Sequence, residues 1–291
     1  MQIMRDEIKI KAHAKINLTL DVTGVRENGY HDLKMVMQEI SLADMLTVRR
    51  IPEYNIRFSM NCELPDKIPP EKNLVYKAAA KMQELFPECG GFDIYLEKEI
   101  PAAAGLAGGS SDCAATLKAI NEICGLGLSQ DKLCDIGVML GADVPFCICG
   151  GTMLSEGIGE ILTPLKKFPH VSCLLVKPDI SVSTKDVYNE IDSMEIKKHP
   201  DTERMLDAIN RRDAADAAKN LSNVLEEVTI PKYPVIAEIK EYLLNNGAAG
   251  SLMSGSGPTV FGIFQDEIMA TMAYRAAFKK YPNFDVILCR I

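Results

Sequence analysis

The 291-residue sequence lacks several features that would assign it to other protein classes. It contains no tryptophan and only four histidines. Its nine cysteines are scattered and none forms a C-x-x-C pair, which argues against a structural zinc site or a disulfide framework. The N-terminal segment lacks the apolar stretch of a secretion signal. Together with a set of reduced thiols, this predicts a cytoplasmic protein.

The chain also lacks an excess of basic residues. Its net charge of −8 argues against a broad surface for nucleic acid or anionic membranes, so we expect neither as a partner. Residues 136–154 resemble a membrane span because Asp143 is their only charge, but four glycines and a proline interrupt them. We therefore expect no transmembrane helix. The oligomeric state cannot be inferred from the sequence.

The order of predicted strands and helices favours an α+β fold over a regular doubly wound sheet. Residues 8–22 alternate in polarity and predict a strand, whereas residues 73–86 predict a helix. A second half of the chain begins near Pro164. Two predictions that the structure can test are a helix over residues 111–124 and a short strand over residues 144–149. Residues 62–70 are predicted to form a loop.

The segment from Pro101 to Asp112 is rich in glycine, alanine and serine and lies directly before an amphipathic helical pattern. Small side chains let backbone N–H groups approach an anion, and the start of a helix presents further N–H groups to it. The segment has neither the lysine of a Walker A loop nor the order of a dinucleotide-binding loop. It predicts a phosphate-binding loop, and the alternative is an ordinary capped helix start.

Lys15 and Asn17 lie two residues apart in the first predicted strand, so both side chains should point to the same face. The functional interpretation is a cation and an amide directed into a binding cleft. The alternative is a solvated strand face.

Three further segments carry candidate functional residues. Tyr30 and His31 follow a polar turn and could stack on a base and bind its edge, although a tyrosine in such a place often only packs. Asp143 is a carboxylate in apolar surroundings. The functional interpretation pairs it with Lys15, and the alternative is an aspartate that caps a helix or forms part of a turn. Ser254–Pro258 predicts either a second anion-facing loop or a flexible turn.

These segments occur in an order that resembles the GHMP kinases, and in particular the branch that acts on a cytidine-diphosphate-linked methylerythritol. The resemblance extends from about residue 9 to the C-terminus. Ala107 departs from the pattern, because many family members have glycine there, but alanine is small enough that we expect the loop to be preserved. The matching segments are 14–18, 29–31, 100–112, 141–145, 157–160 and 254–258.

The resemblance implies two lobes, residues 1–160 and 161–291, with ATP and substrate in the cleft between them. It implies ATP-dependent phosphorylation of the 2-hydroxyl of 4-diphosphocytidyl-2-C-methyl-D-erythritol, a step of the methylerythritol phosphate route to isoprenoid precursors. Asp143 would remove the hydroxyl proton, and Lys15 would keep Asp143 ionised and stabilise the transferring group. The alternatives are a homoserine or mevalonate type of kinase, or an inactive nucleotide-binding regulator with the same fold.

The resemblance also implies which residues bind ATP, Mg²⁺ and the substrate. ATP would be accompanied by Mg²⁺, with Ser110 or Ser111 as the metal-binding hydroxyl. Substrate would be held by Asn17, Tyr30, His31, Asp143, Thr184 and Tyr188. ATP would be held by Pro101, Ala102, Ala103, Ala104, Gly105, Leu106, Ala107, Gly108, Gly109, Ser110 and Ser111, with Asn73, Leu74 and Lys98 near the adenosine.

Overall fold

The computed structural model describes residues 6–27, 29–62 and 69–291. The predicted loop at 62–70 and residue 28 of the polar turn lie wholly or largely outside these residues. The strands are β1 (Glu7–Val25), β2 (His31–Ile51), β3 (Ile56–Met60), β4 (Gly91–Glu97), β5 (Thr152–Gly157), β6 (Ile161–Pro164), β7 (Ser172–Lys177), β8 (Ser222–Asn223), β9 (Gly250–Met253), β10 (Val260–Phe264) and β11 (Asp285–Arg290).

Ten α-helices are formed by the described residues. They are α1 (Leu74–Leu85), α2 (Gly108–Ile123), α3 (Gln130–Val138), α4 (Val144–Cys149), α5 (Thr184–Ile191), α6 (Thr202–Arg211), α7 (Ala214–Lys219), α8 (Glu226–Lys232), α9 (Val235–Asn245) and α10 (Glu267–Lys280). Within the described ranges, none of these helices combines the length and apolarity needed to cross a membrane. The mixture of sheets and helices confirms the predicted α+β class.

The chain packs as two compact units. Unit 1 consists of Met1–Ala14, Leu42–Ala102 and Ala107–Gly150. Unit 2 consists of Lys15–Ser41, Ala103–Leu106 and Gly151–Ile291. These units describe how the chain packs, and the lobe boundary at residue 160 stays a prediction.

In unit 1, β4 lies between β3 and the second half of β2. It runs parallel to β3 and antiparallel to β2. Alternate residues of β4 face the core, where Phe92, Ile94 and Leu96 are buried, as the period of a half-buried strand requires. Helix α1 packs on α2. Helices α3 and α4 pack closely because residue 137 is glycine, where a β-carbon would lie 2.8 Å from a methyl group of Val144.

In unit 2, the second part of β1 pairs with β8, and the first part of β2 pairs with β5. A separate antiparallel sheet has the strand order β11-β7-β10-β9. All five residues of its inner strand β10 are buried, which matches the continuous apolar run in the sequence. Helix α9 packs against β9 and β10, and helix α10 packs against β7 and β11.

Two sequence predictions need correction. Residues 144–149 form α4 and not a strand, because a short apolar run does not distinguish the two and Pro145 occupies a helix-starting position. Helix α2 begins at Gly108, three residues before the predicted start at 111. The glycines at 108 and 109 therefore belong to the first helical turn.

Candidate active site

The predicted phosphate-binding segment, residues 101–111, consists of a loop followed by the first residues of α2, which begins at Gly108. Its residues Ala103 and Ala107 have φ angles of 49° and 55°, in the left-handed region that glycine adopts most easily. Ala107 is the residue directly before the helix. Many family members have glycine at this position, and glycine would adopt this φ angle without strain. The loop keeps its turn with alanine at this position.

Gly105 is required at the centre of the loop. Its φ is 74°, and a β-carbon there would lie 2.2 Å from the carbonyl oxygen of Ser254. The Ser254 hydroxyl donates to the Gly105 carbonyl at 2.9 Å. The segment Ser254–Pro258 is buried in unit 2 and thus supports the phosphate loop from one side.

Lys98 joins the two ends of the phosphate loop within unit 1. Its ammonium group donates to Asp44 and, at 2.9 Å, to Asp112 of α2. The other carboxylate oxygen of Asp44 accepts from the backbone N–H groups of Glu99 and Ile100, directly before the loop. Two carboxylates and one ammonium therefore connect the residues on either side of Pro101–Ser111.

The two carboxyl groups of this cluster are buried, whereas Lys98 is partly exposed, and the acidic groups outnumber the single cation. The pKa of Asp112 is raised to about 7, chiefly because the carboxyl is buried; Lys98 acts to lower this pKa and Asp44 acts to raise it. Burial lowers the pKa of Lys98, but the carboxylates of Asp112 and Asp44 raise this pKa by more than burial lowers it. The pKa of Lys98 therefore lies above its ordinary value. Oxygen Oδ1 of Asp112 has no hydrogen-bond partner, as expected for a carboxyl that is expensive to ionise there.

Lys15 and Asn17 share one face of β1, which confirms the predicted orientation. Lys15 Nζ donates to Asn17 Oδ1 at 2.7 Å, and Asn17 Nδ2 contacts the sulfur of Met35 at 3.4 Å. Both side chains are buried, which excludes the alternative of a solvated face. The backbone N–H of Lys15 donates to the carbonyl of Leu106 at 3.1 Å. A buried cation is thus anchored to the phosphate loop through its own backbone.

Asp143 is the residue directly before α4 in unit 1. Its side chain makes no capping hydrogen bond to that helix, so the alternative of a capping aspartate does not apply. The three residues that follow, Val144–Phe146, are buried, whereas Asp143 itself is partly exposed. Asp143 therefore lies at the edge of an apolar core, and its catalytic role stays a prediction.

His31 contacts one residue of α5 and the residue directly after that helix. Its Nε2 lies 2.6 Å from a carboxylate oxygen of Asp192, the residue after the helix, and its ring centroid lies 4.7 Å from that of Tyr188. Tyr30 is 56% exposed. Tyr188 is therefore an aromatic contact of His31, while Asp192 is a candidate that sequence reasoning missed.

Thr184 and the loop Ser254–Pro258 meet in unit 2. The hydroxyl of Thr184 and the hydroxyl of Ser256 are 2.7 Å apart. Thr184 begins α5, the helix that also carries Tyr188. The segment that supports the phosphate loop thus also contacts the helix that supports His31.

The two candidate metal-binding serines differ in their partners. The Ser111 hydroxyl donates to the carbonyl of His13 at 2.5 Å, and the residue is buried. Ser110 is partly exposed, near Gly141. Among the residues that the structure describes, no group of three or more His, Cys, Asp or Glu side chains could hold a metal ion.

Asn73 and Leu74 lie where α1 begins. The Asn73 side chain accepts from the N–H of Val75 at 2.9 Å and so caps the helix. A β-carbon on Gly109 would lie 3.6 Å from Leu74, which places this leucine beside the first turn of α2. Their contact with adenosine stays a prediction, as does that of Lys98.

The family model described as "GHMP kinases N terminal domain" matches residues 73–151, and the model "GHMP kinases C terminal" matches residues 205–283. The two family models together cover more than half of the chain and define it as a kinase of the GHMP class. The chain is 50% identical to a 4-diphosphocytidyl-2-C-methyl-D-erythritol kinase from Lachnospira eligens over 263 residues, which cover 90% of each chain. The chain belongs to the family of 4-diphosphocytidyl-2-C-methyl-D-erythritol kinases.

Solved structures agree with this assignment. A crystal structure of 4-(cytidine 5'-diphospho)-2C-methyl-D-erythritol kinase is similar with a TM-score of 0.80 and 32% identity, covering 97% of this chain and 99% of the other. A homoserine kinase from Cytophaga hutchinsonii has a TM-score of 0.76 at 20% identity, covering 99% of this chain and 95% of the other. At that identity the likeness to homoserine kinase shows the common fold alone.

Proposed function

We propose that this chain transfers the γ-phosphoryl group of ATP to the 2-hydroxyl of 4-diphosphocytidyl-2-C-methyl-D-erythritol, in the methylerythritol phosphate route to isoprenoid precursors. The family and its ATP-dependent small-molecule kinase activity are established by the relatives. The observation that best supports the proposed site is the hydrogen bond from the backbone N–H of Lys15 to the carbonyl of Leu106 in the predicted phosphate loop. This bond joins the backbone of Lys15 to the segment that would hold the phosphates, which supports a role for its ammonium group there.

In this proposal the phosphates of ATP lie on residues 101–111, bound by backbone N–H groups and by the start of α2. The Asp143 carboxylate accepts the proton of the C2 hydroxyl. The resulting alkoxide oxygen attacks the γ-phosphorus, and ADP leaves. The Lys15 ammonium stabilises the negative charge that develops on the transferring group, and positioning and electrostatics supply most of the catalysis.

We propose that the cytidyl group is bound by residues of unit 2. His31, fixed by Asp192 and Tyr188, would hydrogen-bond the edge of the cytosine. The fixed ring orientation favours specific recognition, because a pre-ordered donor or acceptor loses little entropy on binding. Asn17 would hold the erythritol near the reacting hydroxyl, and Thr184 would help to close the pocket.

A magnesium ion that accompanies ATP would need few protein ligands at this loop. Mg²⁺ usually keeps several waters and is held by one or two side chains together with substrate phosphates. Ser110 is the hydroxyl we propose for it, because the hydroxyl of Ser111 already donates to His13. When bound, the ion neutralises charge on the phosphates during transfer.

We also propose that the enzyme works in the cytoplasm. All nine of its cysteines, each within the described residues, are free thiols. Free thiols on this scale fit a reducing compartment.

A substrate panel tests the proposed function. The purified chain is incubated with ATP and Mg²⁺ and with either the cytidyl substrate, homoserine or mevalonate, and ADP release is measured. We expect turnover with the cytidyl substrate alone. Turnover of homoserine or mevalonate without turnover of the cytidyl substrate would overturn the proposal, and ATP binding without any turnover would favour the inactive regulator.

A further inference from the structure

Two cysteines of unit 1 meet between neighbouring helices. Cys134 lies on α3, and Cys149 is the last residue of α4. Their sulfur atoms are 3.7 Å apart, and both residues are partly exposed. Neither has a part in the proposed phosphoryl transfer, so this contact needs a separate explanation.

The surroundings favour a reactive thiolate at Cys149. The hydrogen bond from Cys134 has the largest effect and lowers the pKa of Cys149 to about 6, with further lowering by Gln130 and Lys118 against the effects of burial and Asp131. The same contact raises the pKa of Cys134, so that its thiol stays protonated. A thiolate next to a thiol is the arrangement that reacts with oxidants and then resolves to a disulfide.

Two other cysteine pairs in the chain serve as internal comparisons. The Cys289 thiol contacts the carbonyl of Cys173 at 3.4 Å, and both residues are buried. Burial raises the pKa of Cys124 to about 12, and the hydrogen bond to Cys89 acts in the same direction. The Cys173–Cys289 pair is therefore buried, and in the other pair Cys89 is buried and the raised pKa of Cys124 keeps its thiol protonated.

We propose that Cys134 and Cys149 form a modification site that takes peroxides. The Cys149 thiolate attacks the O–O bond of hydrogen peroxide, giving a sulfenic acid and, after protonation, one water. The Cys134 thiol then attacks that sulfur and displaces the second oxygen as water, with loss of its own proton. The two thiols lose two electrons to the peroxide, and the products are one disulfide and two waters.

The disulfide affects the helix that follows Asp143. An S–S bond is about 2.05 Å long, so the two sulfur atoms must approach each other from 3.7 Å. Gly137 of α3 already packs so tightly that a β-carbon there would lie 2.8 Å from Val144 and 2.9 Å from Ile148 of α4. We expect the approach of the sulfur atoms to shift the short helix and, with it, Asp143 at its start. This second consequence rests on the proposed function of Asp143.

Peptide mapping tests the modification without reference to activity. The reduced full-length chain is treated with a small excess of hydrogen peroxide, remaining thiols are blocked with N-ethylmaleimide, and peptides are analysed by mass spectrometry. We expect a linked pair of peptides containing Cys134 and Cys149 before any link at Cys89–Cys124 or Cys173–Cys289. In Cys134→Ser, dimedone should trap a sulfenic acid at Cys149. Full labelling of both cysteines by maleimide, or an earlier link in another pair, would overturn the proposal.

Turnover of the same samples tests the consequence for Asp143. We expect oxidation to lower turnover on the order of 10²-fold, the scale of an ångström-sized misplacement, and dithiothreitol to restore it. Cys134→Ser under the same treatment should keep its starting turnover. A complete Cys134–Cys149 link with unchanged turnover would overturn the link to Asp143. A reduced enzyme without any kinase activity would contradict the proposed function, while the peptide map still decides on the disulfide.

Discussion

The Lys98 ammonium lies 2.9 Å from the carboxylate of Asp112, and the same ammonium also donates to Asp44. Asp44 holds the backbone directly before the phosphate loop, and Asp112 belongs to the helix directly after it. The three charged residues thus connect the segment before the phosphate loop to the helix after it. Asp44 and Asp112 would act as positioning residues, because residues 101–111, which are expected to touch ATP, lie between the segments that these two carboxylates hold.

Removing the cation of this cluster should destabilise the protein. Lys98→Met leaves two buried carboxylates without their counterion, and breaking a buried pair in this way typically costs about 3–5 kcal/mol. We expect a clear fall in the unfolding midpoint in urea. Lys81→Met, which removes a partly exposed lysine that pairs with Glu84, is the matched control and should cost less than about 1 kcal/mol. Equal effects of the two variants would contradict the role of the cluster.

Asp112 should make the stability depend on pH. In the folded chain its pKa is raised from 3.8 to about 7, so between these values the folded state binds a proton that the unfolded state has lost. The stability of the wild type relative to Asp112→Asn should therefore fall as pH rises from about 4 to about 7 and stay constant above that range. Urea unfolding of both proteins across this range measures the difference. A relative stability that rises with pH would contradict the raised pKa.

Glycine is required at residue 105 but not at residue 107 of the phosphate loop. Gly105→Ala introduces a β-carbon 2.2 Å from the Ser254 carbonyl, so the loop must move. We expect kcat/KM for ATP to fall on the order of 10²-fold. Ala107→Gly is the matched control, because residue 107 already has a φ of 55° and should change stability by less than about 1 kcal/mol. The expectation is wrong if Gly105→Ala retains the wild-type kcat/KM.

Asp192 should influence the cytidyl substrate and not ATP. Asp192→Asn keeps the shape of the side chain but removes the charge beside His31. Because hydrogen bonds to charged groups contribute about 1.5–3 kcal/mol, KM for the cytidyl substrate should rise roughly 10- to 100-fold, with KM for ATP unchanged. Steady-state kinetics with each substrate varied in turn separates the two. A parallel rise in both KM values would point to a general loss of structure.

Asp143 and Lys15 should be needed for chemistry more than for nucleotide binding. Asp143→Ala or Lys15→Met should lower kcat by roughly 10²–10⁴-fold, the usual range for acid–base groups. ATP binding, measured by calorimetry, should change little in Asp143→Ala. Unchanged turnover in that variant would remove Asp143 from the mechanism.

Local sequence patterns predicted the parts of the site that local structure builds. The small residues before α2 indicated the phosphate loop, and the two-residue spacing of Lys15 and Asn17 placed them on one strand face. The turn chemistry of a glycine-rich segment and the period of a strand are both visible within a few residues. These features needed no information about tertiary contacts.

The sequence could not reveal the contacts between distant residues. Asp44 is 54 residues from Lys98, and Asp192 is 161 residues from His31, and no local pattern marks either carboxylate as a partner. The strand predicted at residues 144–149 was wrong for a related reason. An apolar run of six residues is buried in either conformation, so its period does not decide between them.

The most direct test of the central claim is to identify the product made from an equal mixture of the cytidyl substrate, homoserine and mevalonate with ATP. Phosphorus and proton NMR of the reaction would locate the new phosphoryl group. We predict a single new phosphate ester, on the C2 oxygen of the methylerythritol, formed together with one equivalent of ADP. A phosphoryl group on homoserine or mevalonate, with the cytidyl substrate unchanged, would contradict the account.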